Sequence, residues 1–234
     1  MYREKQLNRM EKIVTAASKC FWANGYRQTQ MADIAKEAAV SAGSIYNYFS
    51  GKEALFHFLI RVESLQLPPE QWPEIPIPAP KPRATLKLLE EESRKIVIVD
   101  ALEAAIARDE CPDPSAELEA IVRQFFEKNC RYRALLTLVE RSVADWPELA
   151  NVLRKNFSTP TRSKLKEYLD KRISQGLFRQ VPDTYASARL ITTLVNWFAK
   201  QRPYSLDPNR ISRETAEETV VHSILHTFIP GAGS

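Results

Sequence analysis

Apolar residues recur at three- and four-residue steps through most of this 234-residue chain, a periodicity that points to an all-α fold. Leu7, Met10, Val14, Ala17 and Phe21 form one such stripe, widened by Ile13 and Cys20. They predict a helix over 8–24 that Gly25 closes in a left-handed cap. A second short helix fits 30–38, with Met31, Ile34, Ala35 and Ala38 on one side and Thr29 or Gln30 at its start. Ser41 is suited to cap a third helix beginning at about Ala42, with Val40 and Ile45 in the positions of a hydrophobic staple. Ser50 and Glu53 have the spacing of a capping box, which would open a fourth helix running to about Ser64.

Residues 67–83 break the pattern. Seven of the chain's 15 prolines fall there, so the segment is expected to run extended, as a linker or as a loop docked through Trp72, Ile75 and Ile77. Helical stripes return over 84–109, 116–143, 148–157, 160–175, 184–201 and 213–228. The run Ile96 to Val99 has strand-like composition, but no partner strand is evident and it reads as helix. Asp113-Pro114, Thr159-Pro160 and Asp207-Pro208 each place a capping residue before a proline suited to a first helical turn, and Asp183 and Ser212 are candidate caps for the last two helices. The expected organisation is an N-terminal domain over 1–65, a proline-rich linker or docked loop over 66–83, and a helical domain over 84–230, with a frayed tail from Gly231.

Composition narrows the function classes. Hydrophobic residues at 44% and charged residues at 26% describe a globular chain. The longest apolar runs span four or five residues, too few to cross a membrane, and the N-terminus has no apolar stretch of the kind that directs secretion. Three widely spaced cysteines, Cys20, Cys111 and Cys130, suit a reducing cytoplasm. Through residue 60 there are eight Lys or Arg against five Asp or Glu, so most of the net charge of +4 lies in the first quarter, where it would attract phosphate. There is no Gly-rich phosphate loop, no Gly-x-Ser-x-Gly and no set of His and Cys ligands, and six glycines leave little material for cofactor-cradling loops. An enzyme, a bound metal and a cofactor are therefore not expected.

Helices two and three with the tight turn between them have helix-turn-helix character, in which the second helix lies in the major groove of DNA. Ala42, Gly43 and Ser44 are small enough for close approach to bases. Ser41 and the free amides of the helix end can meet phosphate. Tyr46, Asn47 and Tyr48 offer hydroxyl and amide groups to backbone or base edges, although the two tyrosines could equally pack inward. Lys52 stands where a neighbouring phosphate would lie.

The stretch from Asp33-Ile34-Ala35 through Val40-Ser41-Ala42-Gly43-Ser44-Ile45-Tyr46-Asn47-Tyr48-Phe49 to Lys52-Glu53-Ala54-Leu55 strongly resembles the DNA-binding signature of the TetR family of repressors. Ile13, Ala16, Ala17, Phe21 and Gly25-Tyr26 fit the preceding helix, so the resemblance covers residues 8–60. Two positions depart from it. Ala39 replaces the usual turn glycine, and Gln30 stands where a hydroxyl residue is common, which would pass a phosphate contact to Thr29. Beyond residue 60 the likeness is in outline only, through Asp145-Trp146-Pro147-Glu148-Leu149, Gln175-Gly176-Leu177-Phe178-Arg179 and Val181-Pro182-Asp183. The resemblance implies a helical C-terminal domain that dimerises and encloses a pocket, and a homodimer released from a near-palindromic operator by a small-molecule effector of unspecified identity. A structural DNA-binding protein without a ligand is the competing reading.

Other features carry plainer expectations. His222 and His226 have metal-ligand spacing but no third partner, and read as a surface or dimer-face pair. Cys111 beside Pro112 reads as an inert thiol. Phe125, Phe126, Tyr132, Tyr185, Trp197 and Phe198 read as core more readily than as pocket lining. Arg131, Arg133 and Arg141 read as a solvated face. Dimerisation is expected through the last two long helices, whose apolar faces are Ala188, Ile191, Leu194, Val195 and Phe198, and Val220, Ile224, Leu225 and Phe228.

Overall fold

The computed structural model describes residues 2–201 and 210–231, and among these the fold is all-α, with no strand and a single isolated bridge. The Asp207-Pro208 cap and the end of the tail after Gly231 lie outside the described residues. The chain divides into two compact units: Met1–Arg94 with Ala134–Asn156, and Lys95–Arg133 with Phe157–Ser234. This division differs from the expected one, because a helical segment from the middle of the chain, Ala134–Asn156, joins the N-terminal segment.

In the first unit, α1 spans Tyr2–Gln28, longer at both ends than the stripe predicts. Gly25 interrupts it, as expected, although a short helical stretch follows. With φ 73° and ψ 178° it kinks the helix, and Tyr26 to Gln28 resume helical structure beyond the kink. A Cβ at this position would lie 2.5 Å from the Arg141 carbonyl oxygen, so both the backbone angle and the close approach require glycine. The helices α2 (Met31–Glu37) and α3 (Ala42–Tyr46) follow, separated by a turn in which Ala39 holds φ at 53°. The alanine therefore adopts the left-handed conformation that glycine would take without penalty.

Helix α4 covers Lys52–Leu65 and buries Leu55, Phe56, Phe58, Leu59 and Ile60. The expected Ser50–Glu53 capping box does not form. Gly51 occupies the N-cap in an extended conformation without a side-chain cap bond, because the chain turns into the helix one residue later than the pattern suggested. Phe21, Tyr26 and Phe56 cluster with Trp146, with ring centroids 4.7 to 5.3 Å apart for Tyr26–Phe56, Phe21–Phe56 and Tyr26–Trp146.

The proline-rich segment is docked. A short 3-10 turn at Pro69–Gln71 leads to Trp72, whose indole N–H donates to the Leu67 carbonyl at 3.2 Å and whose ring meets Phe58 edge-on at 5.2 Å. Ile77 is buried, and its amide donates to the Tyr48 carbonyl at 2.7 Å while its own carbonyl accepts from the Ser50 amide at 2.9 Å. Two backbone bonds thus pin the segment beside the end of α3.

Several long helical stripes are divided. The 84–109 stripe becomes α5 (Ala84–Val97) and α6 (Asp100–Ala107), broken at Ile98 and Val99. The 116–143 stripe becomes α7 (Pro114–Arg131) and α8 (Arg133–Ser142), interrupted at Tyr132. Next come α9 (Pro147–Val152), a π-helical stretch over Leu153–Ser158 and α10 (Thr159–Ser174). Thr159 is no cap, because the chain enters α10 directly from the π-helical stretch. Asp113, Asp183 and Ser212 do cap, accepting from the amides of Ala116, Ala186 and Thr215 at 2.9, 2.6 and 3.1 Å.

The second unit gathers α6, α7, α10, α11 (Thr184–Asn196) and α12 (Arg213–Phe228), with α7 packed against α6, α11 and α12. Its core contains Ala188, Ile191, Val195, Val220, Ile224 and Phe228, with Leu194, Phe198 and Leu225 packed against it. The stripes expected to form a dimer face are therefore internal: their spacing matches a helix face turned toward α7 and α10. Phe125 and Phe126 are also core, whereas Tyr185 and Trp197 are exposed.

Arg172 is fully buried in this unit. Its guanidinium makes a bidentate pair with Glu117 at 2.8 and 3.0 Å and donates to the Ala105 carbonyl at 2.8 Å. Burial pushes the Glu117 carboxyl up, but hydrogen bonds from Arg172, Cys111 and Tyr168 together with the Arg172 charge hold it below the usual range. Such a pair is costly to break, because removing one partner leaves the other charge buried alone.

Candidate nucleic-acid interface

The geometry of α3 follows from its apolar period. Ile45, Tyr48 and Phe49 stand at i, i+3 and i+4, and all three are buried. The opposite side is left to solvent: Ser41, Ala42, Gly43, Tyr46 and Asn47 are exposed and Ser44 is half-buried. The Ser41 side chain accepts from the Ser44 amide at 3.2 Å, which fixes the start of the helix, and the two hydroxyls lie 2.7 Å apart. Tyr46 is 52% exposed, a large ring held in solvent on a capped helix. Nothing lies within 4 Å of where a Cβ on Gly43 would stand, so the fold itself does not demand glycine there. The missing side chain instead leaves a flat patch of backbone on the surface.

Helix α2 is capped at its start and tied to α1 at its end. The Gln30 amide donates to the Asp33 carboxylate at 3.0 Å, and Lys19 on α1 pairs with Glu37 at 2.8 Å. Gln30 is exposed at the N-cap, with its side chain beside the start of α2.

Three of the expected contact residues are placed differently. Tyr48 is buried at 7% exposure by the i+3 register with Ile45, so its ring belongs to the core. Thr29 is fully buried, and its hydroxyl is directed at the carbonyls of Gly25 (2.7 Å) and Cys20 (3.1 Å). The kink at Gly25 leaves helix-end carbonyls in need of donors, and the threonine hydroxyl is occupied there instead of reaching a phosphate. Lys52 serves the same helix end. Its ammonium donates to the carbonyls of Arg27 (3.1 Å) and Thr29 (2.9 Å) and sits 4.8 Å from the centre of the Tyr26 ring. Burial holds its pKa below the ordinary lysine value. The structure thus makes Lys52 a strut between α4 and the end of α1, a role that spacing along the chain did not reveal. The supporting signal missed in the sequence was Tyr26, an aromatic just past the kink.

What remains is an exposed, small-residue helix start flanked by one aromatic and one amide, on a scaffold fixed by caps and a buried aromatic cluster. The family described as "Bacterial regulatory proteins, tetR family" matches residues 13–59, which hold the last three-fifths of α1, all of α2 and α3, and the first half of α4. Over that segment, the chain is similar to the TetR family. Among curated proteins, the HTH-type transcriptional regulator HbdR of Aromatoleum sp. (strain CIB) is 40% identical over 53 residues, covering 23% of each chain. The fatty acid metabolism regulator protein of Bacillus subtilis (strain 168) is 42% identical over 50 residues, 21% of this chain and 26% of its own. The match therefore spans about a quarter of the length of these relatives. A solved structure of a putative TetR-family transcriptional regulator from Mesorhizobium loti MAFF303099 aligns over 95% of this chain and 97% of its own, with 18% identity and a TM-score of 0.48. At that score the likeness carries no argument.

Elsewhere, no three His, Cys, Asp or Glu side chains gather as metal ligands among the described residues. His222 and His226 on α12 lie with ring centroids 4.0 Å apart and planes tilted by 39°. No helix among the described residues is long and apolar enough to cross a membrane. Arg131 and Arg141 are exposed, as expected of a solvated face, and Arg133 is half-buried.

Proposed function

We propose that this chain is a TetR-family DNA-binding transcription regulator, acting as a repressor, that places the exposed side of α3 in the major groove. The observation that carries the reading is the solvent-facing start of α3: Ala42 and Gly43 exposed, Ser41 capping, and Tyr46 and Asn47 projecting outward. Small residues let the helix approach base edges, while the hydroxyl and amide groups supply contacts to bases or phosphates. In this reading Gln30, Ser41, Ala42, Gly43, Ser44, Tyr46 and Asn47 form the contact surface. Lys52, Thr29 and Tyr48 hold it in place.

The regulator acts as a homodimer on a near-palindromic operator, so that the two-fold symmetry of the protein matches that of the site. Leu190 and Trp197 on and just after α11 support a dimer face there, being 56% and 44% exposed on the side of the helix opposite its core stripe. A small-molecule effector bound in the second unit lowers operator affinity. A regulator of this kind carries no enzymatic activity and works in the cytoplasm.

Selection of genomic fragments by the purified protein at physiological salt tests the reading. An inverted repeat among the selected sites is the expected result. Tyr46→Ala is expected to lower affinity for that site with the unfolding free energy unchanged within about 0.5 kcal/mol, as for an exposed side chain. Uniform, salt-sensitive binding without a preferred site would point instead to a structural DNA-binding protein.

A further inference from the structure

An open groove of about 800 Å³ lies on the first unit between α4, the segment leading out of the proline-rich stretch, and the start of α5. Its lining is unusually cationic: Arg61 from α4, Lys81 and Arg83 from the connecting segment, and Lys87 from α5 all border it. Among the described residues, Lys87 alone of the four has an ion-pair partner, Glu91 at 3.6 Å on the same exposed helix face. Arg61, Lys81 and Arg83 have no carboxylate within salt-bridge distance among the described residues. Glu90 and Glu91 supply the groove's two negative charges, which leaves a formal excess of two positive charges.

Four cations gathered in a concavity repel one another, and nothing in the first unit's packing requires them. Lys81, Arg83 and Lys87 are exposed, so no apolar burial drives their positions together. His57 also lines the groove. It lies within hydrogen-bond distance of the buried Thr85 hydroxyl (3.0 Å), and burial together with the Arg61 charge holds the imidazole below its ordinary value. At neutral pH the ring is therefore a hydrogen-bonding surface and adds no charge. Arg83 also holds φ at 64°, a left-handed backbone at a non-glycine residue beside the groove.

We infer that this groove binds a small soluble polyanion carrying phosphate or carboxylate groups, held by Arg61 and Arg83 with Lys81 and Lys87 at its rim. The two guanidinium forks match the paired oxygens of either group bidentately, and lysines contribute point charge. The volume suits a small molecule. A DNA backbone is the weaker candidate: Arg61 lies nine residues along α4 from Lys52, about 13 Å of helix rise away from the α3 end of the unit. The inference is independent of the DNA-binding reading.

The test uses the full-length protein and two probes, inorganic pyrophosphate and citrate, titrated by calorimetry at constant ionic strength set with sodium chloride. Saturable binding of at least one probe is expected, and which one binds identifies the anion chemistry. Arg61→Gln/Arg83→Gln is expected to weaken that binding at least tenfold while keeping the wild-type circular dichroism and melting temperature in the absence of probe. Removing like charges from the surface should not unfold the chain. Equal binding by wild type and variant would overturn the site, as would no saturable binding of either probe. If neither probe binds and the double variant instead loses affinity for duplex DNA, the groove is a backbone contact and the inference fails.

Discussion

Replacing Gly43 with alanine separates the demands of the fold from those of DNA. Gly43 is the second residue of α3, its φ is unremarkable, and no atom lies within 4 Å of the position a Cβ would take. The folded state therefore accepts the methyl group without a clash. Glycine in a helix is less favourable than alanine by about 0.5–1 kcal/mol, because it gives up more chain freedom on folding. Position 43 lies in the first turn, so the gain should fall toward the lower end of that range. If α3 docks in the major groove through Ala42, Gly43 and Ser44, the same methyl group intrudes on the DNA. An intruding methyl in a packed interface costs about 1–3 kcal/mol, which corresponds to a loss of about 5- to 150-fold in operator affinity. Gly43→Ala is thus expected to unfold at slightly higher urea than wild type while binding the selected operator much more weakly. Urea denaturation followed by tryptophan fluorescence and a fluorescence-anisotropy titration of the operator measure the two quantities on one preparation. A variant that is as stable as wild type and binds the operator with unchanged affinity would refute the close approach of α3 to the bases.

Gly25→Ala should behave in the opposite way. Its backbone angles belong to a region that glycine almost alone occupies, worth about 1–3 kcal/mol, and the new Cβ would meet the Arg141 carbonyl oxygen at 2.5 Å. A loss of at least about 3 kcal/mol in urea denaturation is expected, and a loss below about 1 kcal/mol would contradict the geometry. Lys52→Met removes two charge-assisted hydrogen bonds and a cation–π contact, for an expected loss of about 1–2 kcal/mol at this partly exposed site. The salt dependence of DNA binding should stay unchanged, whereas a slope lower by about one would mean that Lys52 touches a phosphate after all. His57 gives a pH signature. Its folded value lies below the ordinary 6.5, so below that pH the unfolded chain binds more protons than the folded one. Stability should fall as pH drops from 6.5 toward the folded value, and denaturation at about pH 7.5 and 5.5 should show a larger loss for wild type than for His57→Gln.

Local chemistry determined most of the architecture. A helix is built from contacts three and four residues apart, so the stripes around Phe21, Ile34, Ile45 and Leu55 mark four helices and their inward faces without reference to any distant residue. Caps are equally local: Ser41, Asp113, Asp183 and Ser212 each bond an amide three residues ahead, and each is legible from its neighbours. The exposed start of α3 is legible for the same reason, since a short helix with one apolar side must present the other.

Only the tertiary structure decided what depends on partners distant in sequence. Whether Lys52 met phosphate or protein turned on the carbonyls freed by a kink more than twenty residues earlier. The backbone bridge between Phe49 and Ile77 converted a proline-rich stretch from linker to docked strap. The apolar stripes of α11 and α12 said that each helix buries a face, but not against what, and the core of their own unit claimed them. Arg172 found Glu117 across 55 positions, and the 134–156 segment joined the first unit through Gly25 and the Tyr26–Trp146 contact. Periodicity records which side of a helix avoids water; it holds no record of which surface comes to cover that side.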